Sequence, residues 1–204
     1  MSIRKKILAI SIGPVLVLGV ITLLFMLTMV KSSLMDEVQD ALKGTAAATL
    51  AAYDQNTGDY LESTNGDIWK GSYNISKSES LVDRIKENTG MDVTFFYGNK
   101  RIMTSALDKK GNRILGSEAG ERVVNQVIKG KKPFFSTNVS LDGTRNYGYF
   151  IPVYQNGTTD QVIGMVFVGT NKARKDAIVN KILGSIMMAL LVVMLLCIVT
   201  AMRM

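Results

Sequence analysis

The chain has 204 residues, with 24 Lys and Arg against 17 Asp and Glu, one Cys and no His. The absence of histidine excludes Ser-His-Asp and Cys-His nucleophile systems and any zinc site built on His and Cys, and a lone cysteine leaves no internal disulfide. The pI near 9.5 does not point to nucleic acid: Arg4, Lys5, Lys6 and Arg203 flank two apolar runs, and the polar region between those runs is close to neutral.

The apolar runs, Ile7 to Val30 and Ile182 to Met202, contain no Asp, Glu, Lys or Arg. As helices they extend about 36 and 31 Å, enough to cross a hydrocarbon core of about 30 Å. The first is too long for a signal peptide and is followed by Lys31-Ser32-Ser33-Leu34, with no A-x-A pattern, so an uncleaved anchor is expected. Positive charge at Arg4, Lys5 and Lys6 places the N-terminus in the cytoplasm. The expected division is a cytoplasmic N-terminus at 1–6, a first span at 7–30, an extracytoplasmic domain at 31–181, a second span at 182–202 and the start of a cytoplasmic region at 203–204. Two residues cannot form an output domain, so the chain reads as one part of a longer receptor in the plasma membrane, its output domains absent.

Beyond the first span, a long helix is expected from about residue 32 to 60. Leu34, Val38 and Leu42 share one face, and Ala46 to Ala48, Ala51 and Ala52 continue it with small side chains. Such a face forms either a homodimer seam or a contact within its own domain. Asp54, Asp59, Glu62 and Asp67 read as a solvated helix end rather than an acid–base pair. No enzyme activity, metal or cofactor is expected. Residues 58–78 have loop composition, with Trp69 and Tyr73 set within it.

A compact core is expected over about 79–170. Its first helix covers Glu79 to Asn88, capped by Ser80 and stopped by Gly90. Alternation then gives a strand at Val93 to Tyr97, a Gly98-Asn99 turn and a second strand at Lys100 to Ser105. A turn at Lys109 to Asn112 and a short helix at Glu118 to Lys129 follow. Three strands complete the core, near 134–139, 145–154 and 161–169, with turns at Asp142-Gly143 and Asn156-Gly157. The fold class is α+β: a five-stranded antiparallel sheet with helices on it, a PAS-like layout, flanked by two transmembrane helices.

Aromatic residues on the strands are the candidate walls of an apolar ligand pocket, or else core: Phe95, Tyr97, Tyr147, Tyr149 and Phe167, with Trp69 from the preceding segment. Arg101 is the charged candidate, either solvated beside Lys100 or offering its planar fork to a carboxylate. Alternation puts Arg101, Met103 and Ser105 on one face and Ile102 and Thr104 on the other.

Five segments, IWKGSYNIS at 68–76, TGMDVTFFYGNKRIMTS at 89–105, PFFSTNV at 133–139, YGYFIPVY at 147–154 and VIGMVFVG at 162–169, resemble in register the single Cache domains of bacterial methyl-accepting chemotaxis receptors. The resemblance implies a membrane-anchored homodimer whose outer domain binds a small molecule, such as an organic acid or amino acid, and signals through the second span. Cytoplasmic signalling proteins would be reached only through HAMP and methylated coiled-coil modules beyond Met204. Related sensors of di- and tricarboxylates carry an Arg at the place of Arg101 and a His three residues on, where this chain has Thr104. Their second basic group, just ahead of Pro152-Val153, is replaced by Gly148 and Phe150. Both departures count against citrate-like ligands. The ligand candidates are thus Tyr97, Arg101, Thr104, Tyr147, Tyr149, Trp69, Phe95 and Phe167. A histidine kinase or diguanylate cyclase would use the same module, and the contrasting reading is a membrane-anchored domain recognising a protein or wall polymer.

Overall fold

The computed structural model describes residues 3–203, and the side chains of 13, 14 and 17–200. The expected cytoplasmic ends therefore fall partly outside the described residues. The chain forms two compact units, Met1–Glu37 with Arg174–Met204, and Val38–Ala173.

The first unit is helical. It holds the N-terminal part of α1 (Ile3–Asp54) and most of α4 (Lys172–Arg203), both long and apolar enough to cross a membrane. Gly19 lets the two approach: a Cβ there would sit 3.0 Å from Met194 Sδ. Thr22 and Thr200 donate their hydroxyls to carbonyls four residues back, which keeps those polar groups satisfied in an apolar surrounding.

The second unit is built on a five-stranded antiparallel sheet. Its strands are β4 (Asp92–Tyr97), β5 (Lys100–Thr104), β6 (Phe134–Leu141), β7 (Thr144–Tyr154) and β8 (Val162–Asn171), in the order β5-β4-β8-β7-β6. One sheet face carries Val93, Phe95, Val166 and Val168 and is covered from the α1 side. Leu42, Ala46, Thr49 and Tyr53, spaced as one helical stripe, are fully buried. Tyr53 and Tyr60 close on the Phe95 ring at 5.2 and 5.8 Å between centroids. Each such large side chain stabilises by roughly 1.5–3 kcal/mol. Ala47, Ala48 and Ala51 point outward instead. Burial pushes the Tyr53 phenol far above its ordinary pKa, although Ser78 bonds to it.

Several expected boundaries shift. The long helix stops at Asp54 rather than near Tyr60. The stretch read as loop contains a small antiparallel sheet, β1 (Tyr60–Glu62), β2 (Ile68–Lys70) and β3 (Tyr73–Asn74). Gly58 and Gly71 permit this turn away from the helix, because a Cβ on Gly71 would meet the Thr57 carbonyl at 1.9 Å and both adopt positive φ. At the seam, Lys70 pairs with Asp54 at 3.0 Å and lies 4.0 Å above the Tyr60 ring. Gln155 accepts from the Tyr60 amide at 2.8 Å and donates to its carbonyl at 3.0 Å, tying β1 to the end of β7.

Helix α2 (Glu79–Thr89) follows Ser78, so Ser80 lies inside it and is not its cap. The Ser78 hydroxyl is committed to Tyr53 and to the Ile75 carbonyl. Gly90 closes the helix in the left-handed conformation, as expected. The other short helix is α3 (Glu121–Val123), passing into a π-helical turn over Val124–Lys129. It packs on the second sheet face, where Phe96, Ala106, Val127, Leu141, Phe150, Met165 and Phe167 form a continuous apolar cluster.

Candidate functional site

That second face also bounds a cavity of about 500 Å³, within the range of small-molecule sites. Register assigns its floor. Phe150 pairs with Phe167, Gly148 with Gly169 and Phe134 with Phe150, so these residues share one side of the sheet. The opposed glycines leave the strand surface bare, and the Phe167 ring lies across them. A Cβ on either glycine would stand 2.4 Å from that ring. Phe167 packs against Phe150 at 4.7 Å, and Phe134 follows at 6.4 Å.

The cavity edges come from bulges in the two edge strands. In β6 the pairing slips between Ser136 and Val139, leaving Thr137 and Asn138 without partners on β7, and all four residues line the cavity. In β5, Met103 pairs with Phe95 but Arg101 with Phe96, so Ile102 is the extra residue. This bulge overturns the expected alternation: Arg101 and Met103 lie on opposite faces, while Arg101 and Thr104 fall on the cavity side.

Arg101 is held by its backbone on both flanks. Its amide donates to the Ser117 carbonyl, and its own carbonyl accepts from Gly116, both at 2.9 Å. Its side chain is not solvated. The residue is 8% exposed, lines the cavity and sits 5.3 Å from the Phe96 ring centroid. Nη1 donates to the Ile114 carbonyl at 3.3 Å, whereas the buried Nε has no hydrogen-bond partner. No carboxylate pairs with the guanidinium among the described residues. Burial accordingly lowers its pKa from the ordinary arginine value, partly offset by the charge of Asp92.

Of the eight residues singled out from the sequence, the structure brings Arg101 and Phe167 to this cavity. Thr104 shares the face, but its hydroxyl is bonded to Thr94 at 2.7 Å and accepts from the Ala106 amide at 3.1 Å. Phe95 belongs to the core under α1. By register Tyr97, Tyr147 and Tyr149 point to that opposite face too, and Tyr147 stacks on Phe135 at 6.4 Å. Trp69 is half-buried in the small sheet. Sequence reasoning missed Phe96, Phe134, Phe150, Val123 and Glu118 in the lining. The available signal was the pairing of Gly148 with Gly169 beside a phenylalanine on the same face.

A family model described as single Cache domain 3 matches residues 73–182. Among solved structures, the fold is similar to an extracellular ligand binding receptor from Desulfohalobium retbaense, at 14% identity and TM-score 0.52, covering 76% of this chain and 26% of that one. It is also similar to the sensory domain of the Campylobacter jejuni chemoreceptor Tlp3 with isoleucine bound, at 11% identity and TM-score 0.53, covering 83% and 64%. The chain thus spans less than two thirds of either structure. No curated protein matches it in sequence.

Proposed function

The chain belongs to the single Cache domain 3 family, and from that premise we propose that it is the input module of a bacterial chemoreceptor, binding a small organic molecule outside the membrane and signalling through α4. The reading takes residues 31–181 as the extracytoplasmic domain, 7–30 and 182–202 as the spans, and both termini as cytoplasmic. The observation that carries it is the cavity of about 500 Å³ with a buried, unpaired guanidinium in its wall. A buried charge without an ion-pair partner destabilises the empty domain, so an anionic group arriving beside Arg101 is bound at the expense of that penalty. Arg101 and Phe167 are the proposed contacts kept from the sequence reading.

Transmission is proposed to start at the root of α4. Thr137, in the β6 bulge, offers its carbonyl to Lys172 Nζ at 3.1 Å, and Lys172 is the first residue of α4 after β8. The same ammonium stands 5.2 Å above the Tyr147 ring. A ligand that reshapes the bulge therefore pulls on the helix root, and shifts of one or two ångströms are typical of such devices. A homodimer is part of the proposal, with the outward Ala47, Ala48 and Ala51 offering small side chains to a second copy.

The test is the melting temperature of the full chain in detergent against carboxylates, amino acids, amines and nucleobases. A ligand at 100 times its dissociation constant adds about 2.7 kcal/mol. The expected result is a shift with at least one anionic metabolite. A flat response to every class would instead favour recognition of a protein or wall polymer.

A further inference from the structure

The cavity wall is chemically lopsided, and this narrows the ligand class, on the premise that the cavity is the sensing site. One end presents a single buried cation, Arg101, with Nε unsatisfied and no ion-pair partner among the described residues. The rest divides between four phenyl rings on the sheet, Phe96, Phe134, Phe150 and Phe167, and the polar β6 residues Ser136, Thr137, Asn138 and Ser140 at its edge. The other charged lining residues, Glu118 and Arg122, are both exposed. Arg122 lies 5.4 Å from the Phe134 ring centroid, covering that ring from its outer side.

Each ligand class meets this wall differently. A di- or tricarboxylate satisfies Arg101 with one group but sets its second anion against phenyl carbon or beside Glu118, where no buried cation compensates it. An α-amino acid brings an ammonium group for which the lining holds no buried anion. A neutral polyol finds hydroxyl and amide partners at Ser136, Thr137 and Asn138 but leaves the guanidinium without an anion. A monocarboxylate with an apolar body fits both ends. A flat ring gains more than an alkyl body of equal area, because offset and edge-on contacts to Phe150 and Phe167 add to simple burial.

We propose that the cavity takes an aromatic monocarboxylate, its carboxylate on the Arg101 guanidinium and its ring against Phe150 and Phe167. The carboxylate would supply the anion the wall lacks, in the bidentate geometry that arginine favours. The ring would occupy the apolar end, below the β6 bulge.

The test is isothermal titration of the full chain in detergent micelles with benzoate, phenylacetate, benzamide, cyclohexanecarboxylate, succinate, citrate and phenylalanine. Expected is tightest binding of benzoate or phenylacetate, with cyclohexanecarboxylate several-fold weaker and benzamide weaker by about tenfold or more, as a charged hydrogen bond is lost. Arg101→Gln should lose benzoate affinity to the same degree, and the benzamide comparison reads the same interaction in the unaltered protein should that variant fail to fold. Equal affinity for benzamide and benzoate overturns the role of Arg101. Tighter binding of succinate, citrate or phenylalanine than of any aryl acid overturns the ligand class while leaving a small-molecule sensor intact. Silence of all seven together with a flat metabolite panel removes the sensing premise itself.

Discussion

Gly148→Ala tests the geometry of the cavity floor with one added methyl group. The new Cβ would stand 2.4 Å from Cε2 of Phe167 and 2.8 Å from Cγ2 of Val139. Carbon atoms in ordinary contact lie about 3.5–4.0 Å apart, so the ring must retreat by roughly 1–1.5 Å. Gly148 and Gly169 are fixed opposite each other by the β7–β8 ladder, which leaves the cavity as the open direction. Overpacking of this kind costs about 1–3 kcal/mol, equivalent to a melting temperature lower by about 3–10 °C in a domain of this size. A ring displaced into the cavity should also weaken benzoate binding by about tenfold, since the ligand loses one ring contact and room beside it. Thermal melting and titration of the variant measure both. A double variant with Phe167→Leu supplies the internal control: the smaller side chain removes the clash, so the two costs should not add. Gly148→Ala with an unchanged melting temperature and unchanged affinity would refute the placement of Phe167 over the glycine pair.

Arg101→Met should leave the ligand-free melting temperature unchanged or raised, because it removes a buried charge without an ion-pair partner; a fall of more than about 2 kcal/mol in stability would make Arg101 a structural anchor. Lys172→Met should bind ligand within about twofold of the parent yet fail to move α4. The check is a spin label on Cys197, the chain's one cysteine, whose spectrum should respond to ligand in the parent and not in the variant. Asp83 is held below the usual carboxylate range first by its hydrogen bonds from Arg113, whose Nη1 donates at 2.9 Å. A depressed folded-state pKa gives stability present above the unfolded value of about 3.9 and lost as pH falls through the folded one. With Asp83 42% exposed and Arg113 21%, the contribution is about 1 kcal/mol or less. Asp83→Asn should therefore lower the melting temperature slightly at pH 7 and by less at pH 3; equal loss at both pH values would point to packing instead.

The positions of the five sheet strands along the chain, the α2 and α3 positions and the two apolar helices were legible because each rests on local pattern: alternation at Val93 to Tyr97, a glycine stop at Gly90, long runs without charge. The small sheet was not, since strands of two or three residues in Gly-, Asn- and Ser-rich sequence carry no periodic signal. Six of the eight candidate site residues lie away from the cavity for a different reason. Alternation counts residues, and one uncounted residue inverts every face beyond it. The bulge at Ile102 did this between Arg101 and Met103. Nor does alternation say which face receives the long helix. That is decided by Leu42, Ala46 and Tyr53 docking on the Phe95 side, which commits Tyr147 and Tyr149 to the same side and leaves Phe150 and Phe167 for the cavity.

The two bulges also explain why a cavity exists on a face otherwise filled with phenylalanine. A regular edge strand would continue the flat apolar surface and α3 would close onto it. Instead β5 turns a guanidinium inward at Arg101, and β6 bows out at Thr137 and Asn138 with its backbone groups off the ladder. Both irregularities lie on edge strands, where an extra residue breaks one ladder rather than two. Their consequences differ. The β5 bulge supplies an unpaired charge that favours a filled site, and the β6 bulge carries the carbonyl that Lys172 holds at the start of α4. On the proposed reading, binding strength and signal output rest on opposite edges of one sheet, joined through the ring of Phe167, and substitutions at Arg101 and Lys172 should separate them.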